Sequence, residues 1–331
     1  AYRYLIMGTI GATFYIIGVG LMYNATGSLN IYDLSRLIPE LAGSRTIQAA
    51  MAFLTVGLGL KLALFPMHMW LPNAYTYAPS AVTVFLAATA TKVAVYALIR
   101  VTYTIFGTVD ILEIVPIRDM FMVMAVIAMF VGSLVAIYQL NIKRMLAYSS
   151  VAQIGYIVLG LSFDTVTGMA AGIIHLFNHA VMKGGLFMAL GAVAYRVGGV
   201  QLGQMTGLGR KMPWTMASFV AGGLSLIGVP LTVGFVSKWY LIQAALEKGW
   251  WMIAILIVIS SLLAVIYVWR VVEVIYFRPS SEVAQEVNEA PLSMLIPMWV
   301  LIGASIYFGI DATTTLDVAI AAARALLGGG G

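Results

Sequence analysis

The 331-residue sequence contains no cysteine, and charged residues make up only 9% of it. The missing thiols exclude disulfides, thiolate catalysis, iron–sulfur ligation and cysteine-based zinc sites, so any redox chemistry belongs to another chain. A soluble domain carries about 25% charged residues. Here too few are available to cover a water-facing surface, which excludes a soluble, DNA-binding or disordered chain. The net charge of +5 does not point to nucleic acid, because basic residues cluster no further than pairs such as Lys143/Arg144 and Arg210/Lys211.

Hydrocarbon is what the chain has in excess, at 62% of its residues. Apolar windows long enough to span a bilayer, about 20 residues each, recur near 4–24, 47–66, 80–106, 119–139, 145–163, 167–195, 214–246, 250–277 and 292–310. In hydrocarbon every backbone polar group needs an internal partner, and the period-2 alternation of a barrel is absent. The expected fold is therefore all-α: a polytopic bundle of about nine transmembrane helices. Two windows break. Pro66 follows Lys61 with Pro72 and Pro79 close behind, and Pro230 interrupts 214–246, a run too long for one straight crossing. Both breaks put freed backbone groups near a lysine, and irregular backbone at membrane depth is tolerated only inside protein or along a hydrated cavity.

Alternating the loops across the membrane puts Arg3, Lys143, Arg144, Arg196, Arg210, Lys211 and Arg278 on one side. The other side holds Arg36, Arg45, Arg118, Lys248 and Arg324 with acids including Asp33, Glu40, Asp110, Glu113, Asp119, Asp164 and Glu247. The positive-inside rule assigns the first side to the cytoplasm. Segments 30–41 and 312–327 read as short amphipathic helices on the outer surface. The chain opens at Ala1 directly into an apolar helix and reads as a piece of a longer polypeptide, without a signal peptide.

Lys61, Lys92, His175, His179, Lys183 and Lys238 all fall inside apolar windows, where an isolated charge costs at least about 2.5 kcal/mol. Lys61, Lys92 and Lys183 have two or more turns of mostly apolar chain on both sides, so their heads are expected to face the bundle interior. Burial disfavours a charged amine and a nearby carboxylate favours it, so such groups can load and release a proton. His175, His179 and Lys183, at i, i+4 and i+8, stack on one helix face about 6 Å apart as a titratable ladder. Two histidines at this spacing also suit zinc, but the intervening Leu176-Phe177-Asn178 supplies no glutamate and no third ligand is in sight. No metal or cofactor is expected. Glu273 is the one acid well within a span, with Arg270 a turn before it as its expected ion-pair partner. No acid is placed to pair with Lys61. Gly57-Leu58-Gly59 lies within an apolar helix, which argues against a nucleotide loop; the glycines read as helix-packing contacts.

The run from Lys61 through Pro66-Met67-His68-Met69-Trp70-Leu71-Pro72, Ala78-Pro79-Ser80-Ala81-Val82, Thr91-Lys92-Val93 and Tyr96-Ala97-Leu98-Ile99-Arg100 resembles the proton-conducting antiporter-like subunits of respiratory complex I and of Mrp-type Na+/H+ antiporters. Asn141 through Tyr156, His175-Leu176-Phe177-Asn178-His179 with Lys183, and Gly228-Val229-Pro230 through Lys238-Trp239 continue the pattern in order. The resemblance implies a fourteen-helix subunit with two inverted five-helix repeats, each with one discontinuous helix, of which this chain is similar to helices six to fourteen. It implies a central lysine at Lys61, connecting groups at Lys92, His175, His179 and Lys183, and a terminal lysine at Lys238. Lys143 matches a relay position but reads equally as a loop charge. The glutamate that pairs with the central lysine in the family would precede Ala1, and Asn73 stands where many relatives carry Asp. The detailed combination is most similar to the D-type subunit of Mrp antiporters and its hydrogenase-complex relatives.

The expected organisation is the remainder of one repeat at 1–106, a second repeat at 107–277 and a terminal span with an amphipathic tail at 278–331. The expected function is proton translocation through a lysine and histidine relay within a multisubunit cation/proton antiporter. Membership of a complex I-like or hydrogenase redox complex and a non-conducting scaffold are the alternatives. The chain is not expected to be an enzyme by itself. Its expected partners are other membrane subunits, protons and Na+, in a bacterial or archaeal cytoplasmic membrane.

Overall fold

A computed structural model describes residues 2–107, 116–279 and 286–328, and within them the chain is helical, without strands. Asp110 and Glu113 lie outside these residues. The order is α1 (Tyr2–Thr26), α2 (Ile31–Leu37), α3 (Arg45–Leu62), α4 (Trp70–Tyr77), α5 (Ser80–Ile105), α6 (Ile117–Ile137) and α7 (Ile142–Ser162). It continues with α8 (Val166–Val197), α9 (Pro213–Ile227), α10 (Val233–Glu247), α11 (Trp251–Tyr276), α12 (Leu292–Ile310) and α13 (Thr313–Leu327).

Among the described residues seven helices, α1, α5, α6, α7, α8, α11 and α12, are long and apolar enough to cross a membrane unaided. The remaining two apolar windows are each split, as their prolines require. The first becomes α3 and α4, separated by Ala63 through Met69 and a cis Phe65–Pro66 bond; the second becomes α9 and α10, separated by Gly228 through Thr232. The bundle is thus a polytopic membrane fold with two broken helices.

Its polarity is inverted relative to a soluble protein. Leu5, Ile16, Phe85, Val123, Leu134, Leu262 and Val300 are exposed on outer helix faces, while Lys92, Lys143, Lys183, Lys238 and all three histidines are buried. In lipid this is the low-energy arrangement, since ionisable groups in membrane proteins turn toward the bundle interior. α7 is buried along its length apart from the partly exposed Arg144 and Tyr148. With α8 it is among the least apolar of the seven spans, because a helix surrounded by protein can carry polar groups that find partners there. α6 packs along α7 and α1 along α3. Gly57 makes the second contact possible: a Cβ there would lie 2.7 Å from the Tyr15 amide nitrogen and 2.8 Å from the Gly11 carbonyl.

α2 and α13 are the two segments read as amphipathic helices. α13 lies against α8, burying Ala319 and Ala323. Arg118 and Asp164, assigned to the same side by the loop pattern, meet at 2.6 Å. One pairing differs from expectation. Glu273 pairs with Arg278 at 3.0 Å, not with Arg270. Arg270 instead reaches across to the end of α6 and donates to the Ile137 carbonyl at 2.5 Å, a backbone group left without an intrahelical partner there.

Candidate functional site

α8 supplies the spine of the site. His175 and His179 stack at 6.3 Å with ring planes 10° apart, as one helical turn dictates, and Lys183 follows on the same face; all three are fully buried. α7 offers a matching polar face at Ser149, Gln153 and Tyr156, at i, i+4 and i+7. Lys183 donates to the Leu146 carbonyl at 2.8 Å and to the Ser149 hydroxyl. The His175 ring is held at both nitrogens, Nε2 2.9 Å from Gln153 Oε1 and Nδ1 2.6 Å from Ser237 Oγ. His179 Nδ1 and Nε2 have no protein partner, so one nitrogen is open to donate and the other to accept.

Lys92 and Lys238 extend the axis from two other helices, and each is served by an irregularity in the backbone. Leu86–Ala90 of α5 is a π-helical stretch, a widened turn of the kind often found at functional sites. Lys92 follows it and donates to the Ala87 carbonyl and to Thr91 Oγ1 at 3.4 Å. Lys238, in α10, reaches back over the break and donates to the last carbonyls of α9, Leu226 at 3.0 Å and Ile227 at 2.8 Å. Its Nζ also stands 4.9 Å from the centre of the Tyr156 ring, which meets the His175 ring edge-on at 5.7 Å. Gly228 allows this approach. It has φ +93°, and a Cβ there would lie 3.0 Å from Lys238 Cδ.

Lys61 departs from the expectation of an inward-facing head: it is exposed. It sits in the last turn of α3 and lines a cavity of about 320 Å³ with Tyr4, Gly8, Trp70, Ala90 and Ala94. The Leu60 carbonyl at the end of α3 accepts the Trp70 indole N–H at 2.7 Å, and the side of α3 carrying Lys61 opens onto the groove opposite Gly8. Lys143 is buried and donates to Ser80 Oγ at 3.0 Å and Ala78 O at 3.4 Å, joining the start of α7 to the start of α5.

Among the described residues no Asp or Glu is buried, so the axis is held by carbonyls, hydroxyls and amides alone. A cavity of about 1020 Å³ lies elsewhere, between α2, α5, α8 and α13, and is lined by Arg36, Arg100 and Tyr103 among others. The sequence reading did not single out Ser149, Gln153, Tyr156 or Ser237. The first three carry a signal in their i, i+4, i+7 spacing along one helix face; Ser237 carries none.

Residues 1–264 match the family model described as NADH:quinone oxidoreductase/Mrp antiporter, TM. The chain is 45% identical over 313 residues to NADH-quinone oxidoreductase subunit N of Desulforudis audaxviator, covering 91% of this chain and 62% of that protein. It thus spans under two thirds of that relative's length. Its fold matches a chain of the membrane-bound sulfane sulfur reductase, an archaeal respiratory membrane complex, with TM-score 0.89 and 33% identity over 98% of this chain and 65% of the other. A chain of the Mrp complex from Dietzia sp. DQ12-45-1b matches with TM-score 0.88 and 28% identity, over 98% of this chain and 67% of that one. These names agree better with the redox-complex alternative than with the Mrp D-type assignment.

Proposed function

This chain belongs to the NADH:quinone oxidoreductase/Mrp antiporter transmembrane family, and from that premise we propose that it conducts protons within the membrane arm of a complex I-like redox complex. The observation that carries this reading is the burial of Lys92, His179, His175, Lys183 and Lys238 within one bundle, with no buried carboxylate among the described residues. Burying several basic groups in one membrane bundle is expensive, and its use lies in groups that each hold and pass a proton. The chain moves charge and does not itself carry out redox chemistry; without cysteine it ligates no iron–sulfur cluster. Other membrane subunits couple that chemistry to the axis. The repeats run over 1–106 and 107–277, with 278–331 as terminal span and tail, and each repeat holds one broken helix. The host membrane is bacterial or archaeal, as for the relatives. Likeness to the Mrp complex chain supports a second reading in which a cation gradient replaces redox drive.

The test is substrate-driven proton movement in inverted vesicles holding the full-length subunit in its complex, comparing wild type with Lys183→Met at matched assembly. The expected result is loss of proton movement. Unchanged pumping with the complex intact would remove the axis from the mechanism. A Na+ gradient applied without redox substrate separates the two readings, because only the second predicts a signal.

A further inference from the structure

The two hydrogen bonds on His175 are unequal in kind, and the inequality fixes where its proton sits. Gln153 Oε1 can only accept, and it lies 2.9 Å from Nε2, so Nε2 carries the hydrogen. A neutral imidazole has one N–H. Nδ1 is therefore the bare nitrogen, and Ser237 donates its hydroxyl to it across 2.6 Å. Ser237 Oγ has two further acceptors in reach, the carbonyls of Val233 and Gly234, each at 3.4 Å. These are the positions to which the hydroxyl can turn.

We infer that Gln153 is a positioning residue that makes His175 a one-ended proton site, closed toward α7 and open only through Ser237. The inference rests on the proton-conducting reading above. An amide neither takes up nor releases a proton in this range, so nothing passes through Nε2 to Gln153. Uptake occurs at Nδ1. The Ser237 O–H bond breaks as the Nδ1–H bond forms, and the serine oxygen regains a proton, through water, from the Lys238 ammonium. One proton has then moved from Lys238 to His175 and no other bond has changed. The new Nδ1–H now donates to Ser237 Oγ, whose hydrogen turns to the Gly234 or Val233 carbonyl. Release uses the same contact: the Nδ1–H bond breaks as that proton bonds to Ser237 Oγ, and the hydroxyl proton the serine held leaves through water for an acceptor further along the axis. Tyr156, between the Lys238 amine and the His175 ring, fills the direct route with an aromatic face, which leaves the serine as the polar connection. In this arrangement Gln153 sets which nitrogen is free, and Ser237 is the contact through which that nitrogen communicates.

The test combines a spectrum with a rate. In the full-length subunit within its complex, labelled with 15N-histidine, the His175 signals are identified by their loss in His175→Asn. The expected resting spectrum shows Nε2 protonated and Nδ1 bare; a proton on Nδ1 overturns the inference outright. Gln153→Leu removes the acceptor and is expected to give a mixture of both tautomers. Proton movement in Gln153→Leu and in Ser237→Ala is expected to fall about tenfold, the effect of one lost net hydrogen bond, with Ser237→Thr restoring the rate because it keeps the hydroxyl. If Lys183→Met stops pumping while Gln153→Leu and Ser237→Ala pump normally, the one-ended site is wrong and the conducting reading stands. If Lys183→Met pumps normally, the conducting reading fails, while the tautomer measurement still reports on Gln153.

Discussion

The two broken helices meet the same problem in different ways. Each ends its first half in a left-handed residue, Ala63 at φ +61° and Gly228 at φ +93°, and each leaves carbonyls at the end of that half. At the second break those carbonyls take up the Lys238 amine, and the lysine is buried as a result. At the first, Leu60 O takes up the Trp70 indole and Lys61 is left exposed, without a hydrogen bond among the described residues. A proline break near a lysine therefore does not decide what the lysine does. What differs is its place: Lys238 lies beyond its break and reaches back to the freed carbonyls, whereas Lys61 lies before its break, in the helix half that ends there.

The largest expected effect tests this directly. Lys238→Met leaves the buried Leu226 carbonyl and the half-buried Ile227 carbonyl without the donor they now share, at about 1–3 kcal/mol for the buried group and less for the other. Lys61→Met has no such consequence and is expected to stay within about 0.5 kcal/mol of wild type. Unfolding of the full-length subunit by SDS titration compares the two; equal losses would erase the distinction between the breaks. Next in size is Gly228→Ala, expected to cost about 1–3 kcal/mol because it forces a side chain into the left-handed region against Lys238 Cδ. The mirrored change, Ala63→Gly, is expected to be near neutral. Relief of about 1 kcal/mol or more of left-handed strain is offset by about 0.8 kcal/mol for the buried methyl lost. Trp70→Phe comes third, at about 1 kcal/mol for one net hydrogen bond, since the Ala63 amide still reaches Leu60 O at 3.3 Å.

Much of this molecule was legible in its sequence, for physical reasons that also explain the rest. Apolar length and proline are local signals, so the spans and both interruptions could be placed from residues alone. The i, i+4, i+8 spacing of His175, His179 and Lys183 is likewise a property of one helix, and they do share a buried face. What depends on a neighbouring helix could not be read. The exposure of Lys61 depends on how α1, α4 and α5 border its groove, and the pairing of Glu273 with Arg278 accompanies Arg270 being occupied at the end of α6. The π-helical stretch before Lys92 leaves no mark in composition. Ser237 matters only because α10 brings it against α8.

The smallest effect extends the comparison from the membrane interior to water. Asp311 does for the start of α13 what Lys238 does for the end of α9, satisfying backbone at a helix terminus. Its Oδ1 accepts the Thr313 amide at 3.1 Å and the Thr313 hydroxyl. Those two hydrogen bonds hold its carboxyl below the ordinary aspartate value of 3.8. A lowered folded-state pKa stabilises the helix start above the unfolded value and ceases to do so as pH falls through the folded one. Acidification below the ordinary aspartate range is therefore expected to fray the first turn of α13, and Asp311→Ala to fray it at every pH. Amide hydrogen exchange at Thr313 through Leu316 reads this out. The full exposure of Asp311 to water makes the loss small and salt-sensitive. Asp311 serves one backbone N–H and one hydroxyl in water, while Lys238 serves two carbonyls inside the bundle, so losing Asp311 is expected to cost less than losing Lys238.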